Sequence, residues 1–265
     1  MTFRSVALTA CFAVVLIALL DATFAGQLQP RGLFWYSAIL RTSLFALVAI
    51  AAAAAASRFN WWSEYAGRSW TLFCVAYLIL TLSEIARRFF PEVAAAREVL
   101  LSVGNLAIIG AYWFASRSLK AAGLDFHSST VRKGVVVVLS MALALALCWG
   151  SFWSEVVSAR AGELHIGSLI SVLADMITFV LVAPLLLTAF ALRGGRLFWI
   201  FALLTVGTFG WMVNQGASRV LRLVGWEAAA RTGRMLGFAL ACCFISAAAF
   251  TQWLAVRRAS VVTHA

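Results

Sequence analysis

The chain has 265 residues, 63% of them hydrophobic and only 12% charged, where soluble domains carry roughly 25% charged residues; with a mean hydropathy of +0.95, these values exclude an ordinary soluble domain. The formal net charge of +11 does not point to nucleic acid, because the basic residues fall in short connections between apolar runs, where they set topology and meet anionic lipid headgroups. Apolar runs of about 20 residues can each cross a hydrocarbon core of ~30 Å as a helix, and a lipid-exposed backbone must satisfy its own hydrogen bonds, so the fold class is all-α, a polytopic membrane helix bundle with eight spans.

The first span covers residues 5–24. Arg4, the apolar run and Asp21-Ala-Thr-Phe-Ala25 also fit a signal peptide cleaved after Ala25. The internal repeat described below requires this helix, so it is kept as a span. The second span, 33–56, opens on the interfacial aromatics Phe34, Trp35 and Tyr36 and ends in an alanine run, 51–56, that would let a neighbouring helix approach closely. Arg41 lies about 12 Å inside it, counting ~1.5 Å per residue. The third span, 70–85, carries Glu84 near its end, and Pro91 closes the helical run. The fourth, 95–117, holds Asn105, read as a helix-to-helix hydrogen-bond residue.

The stretch 117–133 is the most polar of the chain and marks the boundary between two halves. Span five, 134–153, is aliphatic and closes on Trp149 and Trp153. Span six, 167–192, holds Asp175 and a mid-helix Pro184 that should kink it. Span seven, 197–214, ends on Asn214-Gln215. The segment 219–234 interleaves Arg219 and Arg222 with Val220, Leu221, Leu223 and Val224 and is expected to lie along the membrane interface. Span eight, 235–256, ends at Arg257-Arg258 before a short tail.

Placing the second half on the first aligns 92–97 with 227–231, Arg41 with Asp175, Gly67-Arg68 with Gly195-Arg196, and brings Glu84 close to Asn214. The expected domain plan is a four-helix unit over 1–120, a cytoplasmic linker over 121–133, a second four-helix unit over 134–258 and a tail over 259–265. Four spans are an even number, so the units run in the same direction, a parallel repeat about an axis along the membrane normal. Basic residues slightly favour the side of the termini, which points to cytoplasmic ends and a bacterial inner-membrane location.

Ionisable groups inside a membrane are costly and tend to pair or to line a cavity. Arg41 and Asp175, at matching depths in the repeat, are expected to form an ion pair or to share a polar pocket between the halves. Glu84, Asn214 and Gln215 are expected near the opposite surface from Arg41, where they would shape a pocket open to the outside. The five cysteines all fall in apolar spans without a CxxC and read as small packing residues. His127, His165 and His264 lie in connections or the tail, so no histidine pair is placed to hold haem in the bilayer. No span holds a lysine for a retinal Schiff base, and no metal-ligand spacing or phosphate loop appears. The expectation is no cofactor, no metal and no catalytic set.

The run from Asp175 through Arg193-Gly-Gly-Arg196 to the segment 207–214 resembles the multi-helix membrane sensor regions of bacterial histidine kinases and diguanylate cyclases. Those regions often combine an acid early in one helix, a short basic turn, and a Gly-containing helix ending in a polar or acidic residue. Asn214 stands where an acid is common there. Few residues follow Arg258, so the resemblance implies a stand-alone module without an output domain, acting through a membrane or cytoplasmic protein partner or a small ligand. The alternative is a small transporter or channel with its site between the halves; an interior poor in polar residues limits the solute to a small or lipophilic one. The expected contacts are membrane lipids and such a partner, with no nucleic acid.

Overall fold

The computed structural model describes residues 2–121, 130–160, 162, 166–191, 195–223 and 225–262. Among them the chain forms α1 (Phe3–Gln27), α2 (Pro30–Ser57), α3 (Tyr65–Phe89), α4 (Ala94–Ala121), α5 (Thr130–Arg160), α6 (Ile166–Ala191), α7 (Arg196–Leu223) and α8 (Glu227–Val262), with a single 3-10 turn at Pro91–Val93 before α4. All eight are long and apolar enough to cross a membrane. This is a multi-pass helical membrane protein, as the apolar runs required.

Local chemistry sets the helix ends. Thr2 caps α1 by accepting the Ser5 N–H at 3.2 Å. Pro30 occupies the first turn of α2, where its missing N–H costs nothing. Pro91 follows the end of α3 at Phe89. Gly67 packs against the backbone of the α2–α3 connection, where an added Cβ would collide with the Trp61 carbonyl oxygen.

Pro184 lies inside an unbroken α6, with the Thr188 hydroxyl bonded back to its carbonyl. The expected interfacial segment over 219–234 is not a separate element. Its first residues complete α7, and those from Glu227 onward open α8. Gly225, with φ +81°, makes the break in a conformation that favours glycine.

Contacts between helices form a closed ring: α8 packs on α2, α2 on α3, α3 on α4, α4 on α6, α6 on α7, and α7 back on α8. Two helices lie outside the ring, α1 against α8 and α5 against α6 and α7. The outer pair carries long apolar faces turned outward, such as Leu8, Phe12 and Leu19 on α1 and Val138, Leu139 and Leu143 on α5. That exposure is natural against lipid tails.

The small-residue stretches bring helices of the bundle itself together. Ala52, Ala55 and Ala56 are fully buried, on a helix that packs against α3 and α8. Gly207, Gly210 and Gly237 bring α7 and α8 together backbone to backbone, with Ala241 buried between them. The reason is steric: residues without long side chains let two neighbouring helices approach, and here the neighbours belong to the same chain. Cys74, Cys148, Cys242 and Cys243 are buried and Cys11 is exposed; none forms a disulfide.

Candidate functional site

Consecutive helices run in opposite directions, so the ends of α3, α5 and α7 meet the starts of α2, α4 and α6 at one surface of the bundle. A cavity of about 200 Å³ opens there. Its charged wall comes from Arg41, Glu84, Arg87, Arg97 and Glu155, and its neutral polar wall includes Ser168 and Gln215.

Glu84 is the hub of the charged wall. Arg87 Nη2 pairs with its Oε1, Arg88 Nη2 lies 3.3 Å from the same atom, and Arg41 Nε approaches it at 4.0 Å. Sequence dictates this crowding. Glu84, Arg87 and Arg88 are three and four residues apart and share a helix face. Arg41 enters from the start of α2, which packs antiparallel to α3.

The guanidiniums are further held by rings and hydroxyls. Arg41 sits 5.0 Å from the Phe238 ring centre and Arg88 4.2 Å from that of Phe34. Arg88 Nη2 also donates to Ser37 Oγ at 3.3 Å. Aromatic faces attract cations and fix these side chains in place.

On the neutral wall, Gln215 Nε2 donates to Asp175 Oδ2 at 3.2 Å, and the Ser151 hydroxyl donates to the Gln215 carbonyl at 3.3 Å. Glu98 fixes the adjacent start of α6 by accepting the Gly167 N–H at 2.7 Å, a carboxylate at a helix N-terminus.

Below the cavity the interior closes on aromatic rings. Phe45, Tyr77, Trp211 and Phe238 lie with ring centres 5.0–6.1 Å apart. Trp211 Nε1 donates to Tyr77 Oη at 3.1 Å. Next to them the hydroxyls of Tyr112 and Thr208 hydrogen-bond at 2.6 Å, joining α4 to α7. Tyr77, Tyr112 and Thr208 are fully buried.

At the opposite end of the bundle a second, wider cavity of about 600 Å³ is lined by Glu64, Arg68, Ser118, Phe201 and Gln252 among others. Along α7 the two cavities are separated by the run from Phe201 to Gln215, about 21 Å at ~1.5 Å per residue.

Five of the six residues singled out from sequence gather around the first cavity or the α7–α8 contact. Arg41, Glu84 and Gln215 line the first cavity. Asp175 is buried directly behind Gln215. Asn214 forms the backbone contact with Gly237 where α7 meets α8.

Three expectations need correction. Arg41 does not pair with Asp175: its carboxylate neighbour is Glu84, and Asp175 takes an amide from Gln215. Glu84 and Gln215 do not sit across the membrane from Arg41, because antiparallel neighbours bring the end of one helix to the start of the next. Asn105 bonds the Leu101 carbonyl of its own helix at 2.9 Å rather than another helix. The histidines 127, 165 and 264 lie outside the described residues.

Sequence reasoning missed Arg87, Arg97 and the serines that complete the wall. The signal was available: polar residues at the ends of odd-numbered spans and the starts of even-numbered ones share a surface. It also missed a second polar cluster. Asp21 on α1 is buried within electrostatic reach of Arg231 on α8 and Tyr36 on α2. Asp21 Oδ2, Tyr36 Oη and Arg231 Nε have no hydrogen-bond partner there.

No protein-family model matches the chain, and no curated protein or solved structure shows significant similarity to it.

Proposed function

We propose that the protein is a non-enzymatic sensory or accessory module of the bacterial inner membrane, with both termini cytoplasmic, that binds a small ligand in the Arg41–Glu84 cavity. One observation carries this reading. Polar side chains from six helices, α2 to α7, converge on a single cavity whose lining includes Phe45, one of the packed rings Phe45, Tyr77, Trp211 and Phe238. A cavity touching that many elements links occupancy to the relative placement of the helices, which is what a ligand must bias to act on a partner. The likeness of residues 174–215 to sensor regions of histidine kinases and diguanylate cyclases points the same way, with the output supplied by a membrane or cytoplasmic partner.

The ring order also suits the 4+4 repeat. The contacts α2–α3, α3–α4 and α4–α6 would correspond to α6–α7, α7–α8 and α8–α2. The outer helices depart from it, since α1 packs on α8 while α5 packs on α6 and α7.

A second reading, transport of a small solute, is favoured by the second cavity, which lies between the same α3, α4 and α7 at the other end. The two readings separate by labelling with a membrane-impermeant maleimide from each side, in a Cys11→Ser background whose other cysteines are buried. For the module, Ser168→Cys is reached from the cavity side alone, Ser118→Cys from the other side alone, and Tyr77→Cys from neither. Labelling of Ser168→Cys from both sides, or of Tyr77→Cys from either, would establish the transport reading in its place.

A further inference from the structure

We infer that the Arg41–Glu84 cavity is an oxyanion site, made for a small dianion bearing carboxylate or phosphate groups; the inference rests on this cavity being a ligand site. Charge is the first reason. Arg41, Arg87 and Arg97 line the cavity with Glu84 and Glu155, and Arg88 stands on Glu84 from behind. Among the lining residues three guanidiniums face two carboxylates, which leaves an excess of positive charge at the wall where the surrounding apolar helices screen poorly.

Donor surplus is the second reason. The three guanidinium contacts to Glu84 all fall on one oxygen, Oε1. The Nε atoms of Arg41, Arg87 and Arg88 are buried without a hydrogen-bond acceptor. Each guanidinium offers five donors in a planar fork that matches a carboxylate or phosphate edge. Buried donors of this kind are normally satisfied, and an oxyanion offers the lining guanidiniums acceptors beyond the two carboxylates of the wall, Glu84 and Glu155. A cationic ligand meets the opposite situation, since Glu84 is already engaged by three cations.

Size and lining narrow the class. A cavity of about 200 Å³ has room for roughly six or seven waters at the ~30 Å³ each takes in the liquid, and covalently bonded atoms pack closer than that. Leu80, Leu101 and Val172 give part of the wall an apolar surface. That suits a phosphate on a short stem or a four-carbon dicarboxylate. The same chemistry is offered by the phosphate of an anionic lipid headgroup, which reaches this surface from the bilayer.

The test uses the full chain in nanodiscs and reads the thermal midpoint. In zwitterionic phosphatidylcholine discs, succinate, citrate and inorganic phosphate are titrated against chloride at matched ionic strength, with putrescine and glycerol as cationic and neutral probes. A second arm replaces the lipid with phosphatidylglycerol and adds no soluble anion. The expected result is a midpoint raised by at least one oxyanion or by phosphatidylglycerol; the first identifies a free ligand, the second a headgroup.

Arg97→Gln, at the mouth of the cavity, should weaken the effect by about ten- to a hundredfold in concentration, the value of a hydrogen bond to a charged group. Arg87→Gln should do the same, and Glu84→Gln should tighten binding by removing the competing carboxylate. A midpoint raised by putrescine or glycerol but by no oxyanion overturns the anion assignment and leaves the ligand site standing. A midpoint that no probe or lipid moves overturns both. An oxyanion effect unchanged in folded Arg97→Gln and Arg87→Gln proteins overturns the assignment to this cavity.

Discussion

Three guanidiniums share Glu84 Oε1, so removing the acid and removing one arginine are not symmetrical changes. Loss of one arginine leaves Glu84 still engaged by two guanidiniums and relieves repulsion among the cations. Loss of the acid leaves three like charges together in a poorly screened place. Breaking a buried ion pair from one side costs about 3–5 kcal/mol. Glu84→Gln should therefore lower stability by about 3 kcal/mol and Arg41→Gln by about 1 kcal/mol or less, measured by SDS-induced unfolding in mixed micelles without added anion. Equal losses from the two variants would show that the cluster is not short of negative charge. Asp175 poses a milder problem. It accepts one amide from Gln215 at 3.2 Å, and an asparagine can accept the same bond. Asp175→Asn should stay within about 1 kcal/mol of the parent, whereas Asp175→Leu removes the carboxylate acceptor of this bond and should cost about 1–3 kcal/mol in the same unfolding assay.

At the scale of elements, the pairing of α7 with α8 depends on backbone contact. An added Cβ at Gly237 would run into the backbone of Asn214, and one at Gly210 would sit 2.9 Å from the Gly237 carbonyl oxygen. Backbone cannot step aside as a flexible side chain can, so Gly237→Ala should separate the helices and cost about 2–3 kcal/mol. Gly134, near the start of α5, has open space where its Cβ would go. Gly134→Ala should raise stability by about 0.5–1 kcal/mol through reduced backbone freedom. Thermal midpoints of the two variants, compared side by side, check the contrast. The elements themselves were legible in the sequence, because long apolar runs in lipid have one backbone solution. Their ends were less so. Asn214-Gln215 looked like the close of a span, yet α7 continues to Leu223 because nothing before Gly225 breaks the helix. The partners of the polar residues were legible only in part. Arg41 and Glu84 stand out as intramembrane charges, but repeat position matches Arg41 with Asp175 and Glu84 with Asn214, whereas the antiparallel contact of α2 with α3 joins Arg41 to Glu84. Asp21 was read only as part of a leader pattern, and its burial against α8 depends on long-range packing that local pattern does not carry.

For the whole molecule, the ring of helices makes the two halves of the chain interdependent. The first half supplies Arg41, Glu84, Arg87 and Arg97 to the cavity, and the second supplies Ser151, Glu155, Ser168 and Gln215. Two ring contacts, α4 with α6 and α8 with α2, join the halves at opposite sides. The Tyr112–Thr208 and Trp211–Tyr77 hydrogen bonds tie them through the middle. Each half alone would expose buried hydroxyls and ring faces that have no counterpart in lipid. Two pieces, 1–121 and 130–265, expressed together should therefore assemble without a peptide link, because the contacts between them need no chain continuity. A tag on the first piece should bring down the second in stoichiometric amount from mild detergent. Thr208→Val breaks the central hydroxyl pair and strands the Tyr112 hydroxyl, and it should weaken that recovery. Tyr112→Phe should weaken it less, since Thr208 keeps its bond to the Leu204 carbonyl at 2.8 Å. Independent folding of either piece, with no mutual recovery, would show that the ring does not bind the halves and that the cavity between them is not a joint structure.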